Sequence, residues 1–377
     1  MLGGRGAVAF LRGFWQKQAL LVRGAMPGFA GLFTLPQLHG IAMRDDVESR
    51  LVVRDGGHWS LAHGPFRRAD FKALPERNWT LLVQGVNLHS TAADALLRQF
   101  AFLPYARLDD LMVSYAAPGG GVGPHFDSYD VFLLQGRGQR RWRYGRQKDL
   151  TLKRDLTLKR ELPVQILRRF VPEHDEVLGP GDMLYLPPQY AHDGTAVDVC
   201  TTYSIGFRAA AATELATAFL DFLRDELDLP GRYADPDLAP TREPARIDGA
   251  MLRQCARTLH AIRWDQATIA RFLGTSLSEP KPTVFFDPPP SPFTRAAFLA
   301  RASRRGVRLD RRTQLLYDNR HLFLNGMALP APARGARGIR RLANARHLDG
   351  REVAALDPPV GTILWQAYRD GYLDLDS

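Results

Sequence analysis

Two stretches set the pattern of the first half of the chain. Val131-Phe132-Leu133-Leu134-Gln135 and Arg140-Arg141-Trp142-Arg143-Tyr144 read as strands separated by a turn containing Gly136 and Gly138. Alternation in the second puts Arg140, Trp142 and Tyr144 on one face and Arg141 with Arg143 on the other, so an inward tryptophan brings Arg140 inward with it. A third apolar run, Met183-Leu184-Tyr185-Leu186, follows the tight turn Gly179-Pro180-Gly181 and stops at Pro187-Pro188. A fourth, Cys200 to Phe207, sets Thr202 and Ser204 opposite Tyr203, Ile205 and Phe207. Beyond Ala209 the period becomes helical. Leu215, Phe219, Phe222, Leu223 and Leu227 share one stripe, and Leu252, Leu259 and Ile262 a second; such stripes are usually core. Pro280, Pro282, Pro288, Pro289, Pro290 and Pro292 then read as a linker. A helix over 295–305, short strands at 315–317 and 322–324, and a helix or two to the end follow in the order of a winged helix.

The chemistry centres on His125-Phe126-Asp127, entered from Gly119-Gly120-Gly121-Val122-Gly123. On a strand, His125 and Asp127 share a face and Phe126 turns toward the packing side. His192 stands just after the strand at 183–186, which reads as its pedestal. Two imidazoles and a carboxylate are the ligand set of non-haem Fe(II) oxygenases, and three protein ligands leave about three positions open for co-substrate and dioxygen. A bare His-x-Asp also suits a surface turn with an N-capping aspartate; the strand and the distal histidine favour the metal. A buried Arg140 needs an anion, and its planar fork fits a carboxylate, with Ser204 placed to add a hydroxyl. A structural Asp or Glu would satisfy Arg140 equally well.

The runs Gly119 to Asp127, Tyr129-Asp130-Val131-Phe132, Gln135-Gly136, Arg140-Arg141-Trp142-Arg143, Pro180-Gly181-Asp182-Met183-Leu184-Tyr185 and Tyr203-Ser204-Ile205-Gly206-Phe207-Arg208-Ala209 resemble the bacterial ribosomal oxygenases. The likeness extends upstream through Phe14-Trp15-Gln16-Lys17, Ser49-Arg50-Leu51-Val52, His63-Gly64-Pro65-Phe66 and Asn78 to Gln84, and so covers most of residues 14–235. It implies an α+β chain with a double-stranded β-helix (cupin/JmjC) core over 1–208, a helical dimerisation segment over 209–279 and a winged-helix domain over 280–377. It further implies Fe(II) on His125, Asp127 and His192, and 2-oxoglutarate on Arg140 and Ser204, with O2 as second co-substrate. The target would be C3 of an arginine in a large-subunit ribosomal protein. Histidyl hydroxylation, as in nucleolar relatives, a non-enzymatic cupin/winged-helix regulator, and a metal-dependent cupin isomerase, which would need extra His or Glu ligands near the triad, are the alternatives. A tandem Asp-Leu-Thr-Leu-Lys-Arg at 149–154 and 155–160 departs from the family and reads as a solvated insertion.

Composition fits a multidomain enzyme. The chain has 377 residues, 45% of them hydrophobic, and no apolar run of membrane-spanning length. Cys200 and Cys255 form no disulfide framework, and a reducing compartment is expected. Arg5, Arg12, Lys17 and Arg23 precede the first acid, Asp45, as in a transit peptide, but Phe14 to Lys17 already matches the family, so cytoplasm is expected. A net charge of +10 suits a weak contact with RNA, yet opposes approach to a basic ribosomal protein. Asp109, Asp110 and Asp130 would then be the carboxylates that meet such a target. A chain ending near Glu279 would keep the chemistry and the dimer.

Overall fold

The computed structural model describes every residue except 57, 148–165, 333–334 and 377, so the tandem repeat lies outside the described residues. Twelve strands build the first half: β1 (Leu20–Val22), β2 (Ser49–Asp55), β3 (His58–His63), β4 (Trp79–Val83), β5 (Leu108–Ala116), β6 (His125–Phe126), β7 (Asp130–Gln135), β8 (Arg140–Gly145), β9 (His174–Leu178), β10 (Met183–Leu186), β11 (Ala191–Ala196) and β12 (Cys200–Phe207). An eight-stranded sheet runs β1-β10-β7-β12-β5-β4-β2-β3 and a four-stranded sheet β6-β11-β8-β9, with antiparallel pairing throughout. Residues of both sheets line one cavity, as in a double-stranded β-helix. The runs at 131–135 and 140–144 are strands as expected, but they do not pair with each other. At Gly138, φ is +67° and an added Cβ would lie 2.2 Å from the Val199 carbonyl, so a glycine lets the chain leave one sheet for the other.

The period of two divides the large sheet. Phe132 and Leu134, Tyr203, Ile205 and Phe207, and Leu111 and Val113 enter the main core, where they meet Phe10 of α1 (Ala7–Gly13), Leu38 of α2 (Leu35–Ala42) and, beyond α3 (Arg68–Lys72), Leu97 of α4 (Thr91–Arg98). Their alternates, Val131 and Leu133, Thr202 and Ser204, and Met112 and Ser114, line the cavity.

The helices α5 (Ala212–Glu226), α6 (Gly249–His260) and α7 (Gln266–Ser278) follow. The stripe on α5 is only half used: Phe219 and Phe222 lie 5.2 and 5.7 Å from the Phe272 ring of α7, whereas Leu215 and Leu227 are exposed. No residue of α6 is buried. The C-terminal unit contains α8 (Arg295–Arg305), β13 (Val307–Leu309), β14 (Leu315–Tyr317), β15 (His321–Leu324), β16 (Met327–Pro330), α9 (Ala336–Ala345), β17 (His347–Leu348), α10 (Gly350–Ala354), α11 (Pro358–Arg369) and β18 (Leu373–Leu375), around a separate core that includes Phe298, Val307, Ile339 and Leu364.

Three expectations need correction. The boundary expected after Glu279 falls inside a packed unit, because Gly274 of α7 abuts the Phe323 ring of β15 and Gly326 N–H donates to Ser278 Oγ. The proline-rich stretch is not a free linker either. Lys281 Nζ reaches back to Asp110 Oδ2 at 2.9 Å and Asp109 Oδ1 at 3.5 Å, and Arg312 donates to the Phe285 carbonyl. Asp110, held also by Gln84, and Asp130, held by Tyr185, Gln16 and Arg107, are buried and paired within the chain, and Asp109 pairs with Arg208 and Lys281. These carboxylates are therefore internal ties and not a docking face.

Removing one partner of a buried pair leaves an uncompensated charge; with Lys281 about one-third exposed, Lys281→Met should cost roughly 1–2 kcal/mol in denaturant unfolding. Asp110→Asn with Lys281→Met should cost less than the two separately, and a chain ending at Glu279 should unfold less cooperatively than the full chain. Equal unfolding midpoints for Lys281→Met and the parent would remove the strap from the stability argument.

Candidate active site

His125 on β6 stands directly opposite His192 on β11, so the pairing itself aims both imidazoles the same way. His192 thus sits inside a strand of the small sheet. The expected pedestal, β10, belongs to the large sheet, and the chain crosses over at 187–190, where Gln189 N–H donates to the Asp127 carbonyl at 2.7 Å. Asp127 follows immediately after β6 and shares the site with His125. His125 Nε2 is 4.0 Å from Asp127 Oδ1, and His192 Nε2 is 3.6 Å from Oδ2. Ligand atoms of the three residues lie within 4.8 Å of one another.

The second nitrogens fix the tautomers. His125 Nδ1 lies 2.9 Å from the Gly123 carbonyl and His192 Nδ1 2.9 Å from the Tyr190 carbonyl, so each Nδ1–H donates to the backbone and each Nε2 lone pair faces the site. Burial, then the neighbouring His125, push the His192 pKa down to about 4. It is therefore a neutral imidazole at physiological pH, the form a metal accepts.

Arg140 is buried, as the alternation implies, with Trp142 and Tyr144 on the same face. Its guanidinium donates to Ser114 Oγ at 2.7 Å and Thr202 Oγ1 at 3.2 Å, while Thr202 donates to Gln135 Oε1. Its Nε is buried without a partner, and among the described residues no carboxylate pairs with it. The structural-pair alternative for Arg140 is thereby set aside. Ser204 borders the same cavity, but the hydroxyls touching Arg140 are those of Ser114 and Thr202. Ser114 was missed in the sequence although a signal was present: β5 alternates Leu111 and Val113 with Met112 and Ser114. Phe126, expected to face the packing side, lines the cavity instead. The cavity, about 250 Å³, joins the triad to Arg140 between the two sheets.

Comparison with known proteins agrees with this geometry. Residues 95–215 match the JmjC domain family and residues 261–374 the ROXA-like winged helix. Over 239 residues, the chain is 42% identical to the ribosomal protein uL16 3-hydroxylase of Escherichia coli, a segment covering 63% of this chain and 62% of that protein. Human ribosomal oxygenase 1 is 27% identical over 197 residues, half of this chain and 30% of that protein. The structure of E. coli YcfD superposes with a TM-score of 0.84 at 31% identity over 98% of both chains. The chain belongs to the ribosomal oxygenase family. A YcfD structure containing cobalt and 2-oxoglutarate matches with a TM-score of 0.82 over 99% of both chains, and Fe(II)/2-oxoglutarate dependence is general in the family. The residues of this ribosomal oxygenase fit both groups: two tethered neutral imidazoles beside a carboxylate suit a divalent metal, and a buried guanidinium with no protein anion suits a carboxylate.

Co(II) titration followed by visible absorption should show one bound ion in the parent and none at matched concentrations in Asp127→Ala. Undiminished Co(II) binding by that variant would disprove the site.

Proposed function

We propose that the chain is an Fe(II)- and 2-oxoglutarate-dependent dioxygenase that hydroxylates C3 of an arginine in a large-subunit ribosomal protein. The observation that carries this reading is a single cavity holding the His125, Asp127 and His192 triad together with the unpaired Arg140. A ligand-sensing regulator would have no use for that guanidinium beside a metal site. When bound, iron with 2-oxoglutarate and O2 supplies the oxidation: one oxygen atom enters the substrate C–H bond and the other leaves in succinate, with loss of CO2. The chain's part is positional. His125, Asp127 and His192 hold the metal on one side and leave positions open. Arg140, steadied by Ser114 and Thr202, takes the distal carboxylate, and Ser204 lies along the same wall. Val131, Leu133 and Trp142 add apolar wall to the same cavity, so the co-substrate is desolvated and fixed in orientation.

In this reading residues 1–208 carry the chemistry, and α5 and α6 within 209–279 carry self-association. Leu215, Leu252 and Leu259 are 45, 58 and 63% exposed, and a second copy would bury them. A ribosomal-protein target also implies a cytoplasmic site of action; among the described residues no helix is long and apolar enough to cross a membrane.

The test is incubation with Fe(II), 2-oxoglutarate and large-subunit ribosomal proteins, read by mass spectrometry. One arginine should gain one oxygen in step with succinate release. Arg140→Ala should raise the 2-oxoglutarate requirement at least tenfold, because hydrogen bonds to charged groups contribute roughly 1.5–3 kcal/mol. Oxygen gained on a histidine, or unchanged co-substrate dependence, would reject the respective assignment. For the dimer, light scattering should give twice the chain mass, falling to one in Leu215→Glu with Leu259→Glu; a monomeric parent protein would end that proposal.

A further inference from the structure

The positive charge is unevenly distributed. Residues 280–377 hold sixteen Lys and Arg against nine Asp and Glu, whereas the preceding 279 residues hold thirty-four against thirty-one. Most of the excess is therefore in the C-terminal unit, and its contacts line up part of it as a ridge. Arg337, Arg340 and Arg341 lie at i, i+3 and i+4 on α9, which makes them neighbours on one helix surface. At one end, Arg340 donates to the Asp318 carbonyl and stacks 5.4 Å over the Tyr317 ring, next to the β14–β15 turn that carries Arg320. At the other end, Arg341 pairs with Glu352 on α10, adjacent to Arg351. There Gly350 sits so close to α8 that an added Cβ would lie 2.6 Å from the Ser303 carbonyl and 2.9 Å from the backbone of Arg304.

Three of the four acids along this ridge are already engaged, the fourth being Asp357 beside Gly335 at the start of α9. Asp318 accepts from the Arg320 and His321 amides, Asp349 caps α10 through the Glu352 amide, and Glu352 accepts from Arg341 and the Asp349 amide. Arg304, Arg320, Arg337 and Arg351 are exposed and have no ion pair among the described residues. A row of cations that outnumbers its local anions, most of them occupied, is an electrostatic footprint for a polyanion.

We infer that this ridge binds the phosphate backbone of RNA, without reading base sequence. The contacts are those of guanidinium to phosphate, which position and do not specify. The choice of RNA among polyanions rests on the ribosomal-protein target proposed above, since such a protein is met beside ribosomal RNA. The ridge would hold the enzyme near its target by weak, salt-sensitive attraction, while the cavity supplies selectivity.

The experiment is fluorescence anisotropy of the full-length protein with a labelled RNA hairpin over a series of KCl concentrations. The parent should bind with an affinity that falls steeply with salt. Arg320→Ala/Arg337→Ala/Arg351→Ala should weaken binding about tenfold or more at low salt and reduce the slope of log K against log salt by about 2, given about 0.7–0.9 per phosphate contact. An equal loss of charge from the oxygenase half, Arg68→Ala/Lys72→Ala/Arg77→Ala, should have little effect. No binding at 50 mM KCl, an unaltered ridge variant, or equal losses in both variants would overturn the inference. So would ridge-dependent binding to phosphatidylserine vesicles that matches binding to RNA. Anisotropy is read without co-substrate, so failed hydroxylation would leave an RNA result standing, and absent RNA binding would leave the hydroxylation reading untouched.

Discussion

The strands β5, β12 and β7 lie side by side in the large sheet, with the main core on one face and the cavity on the other. Because successive side chains must point to opposite faces, each strand supplies core and cavity from alternate residues, and a slip of one position would exchange them. Tyr203, Ile205 and Phe207 would then crowd the cavity, and the Thr202 and Ser204 hydroxyls would enter an apolar core. Packing that drives the sheet together therefore also sets which residues face the metal and co-substrate. Register is shared, too: Ser114 pairs with Thr202, and Thr202 with Gln135, so the polar cradle of Arg140 is one rung of the ladder.

Two buried charges show how structural and functional polar groups differ here. Asp130 is fully buried and receives Tyr185 Oη, Gln16 Nε2 and Arg107 Nη2, so three donors from separate segments converge on it. It ties β7 to β10, to the N-terminal segment and to the start of β5, and nothing is left over for a ligand. Arg140 is buried as well but donates to two neutral hydroxyls and meets no anion among the described residues, with Nε unused. A buried group left incompletely satisfied lowers stability, and such cost concentrates where a ligand completes the set.

Much of this was legible in the sequence because it rests on local geometry. The placing of Arg140 with Trp142 and Tyr144 follows from a period of two alone; His125 and Asp127 do share the site, but Asp127 lies just beyond β6 and Phe126 between them lines the same cavity. What sequence reasoning missed depends on which strand or helix becomes whose neighbour. Ser114 needs the β5–β12 pairing before it meets Arg140. The run at 183–186 looks like the support for His192 until the two are seen in different sheets. Helical stripes are equally ambiguous: Phe222 and Phe272 pack together while Leu252 and Leu259 are left exposed, and nothing in their spacing separates the cases. Asp110 reads as a surface acid because its partner, Lys281, is remote in the chain.

The ties between the halves bear on how a chain of net charge +10 would approach a target that is itself basic, as the proposed one would be. Lys281 is anchored at Asp110 on β5, Arg311 donates to the Leu88 carbonyl, Tyr105 donates to the Asn344 carbonyl, and Arg208 donates to the Leu277 carbonyl. The C-terminal unit is therefore docked on the oxygenase half at several separate points, one of them on the strand that carries Met112 and Ser114 into the cavity. Segregating charge between such units resolves the apparent repulsion. A docking protein that stays more than a Debye length, about 8 Å at physiological salt, from the C-terminal unit senses the nearly balanced oxygenase half and not the whole-chain excess. At that separation the arginine-rich unit would be free to face anions without opposing the encounter.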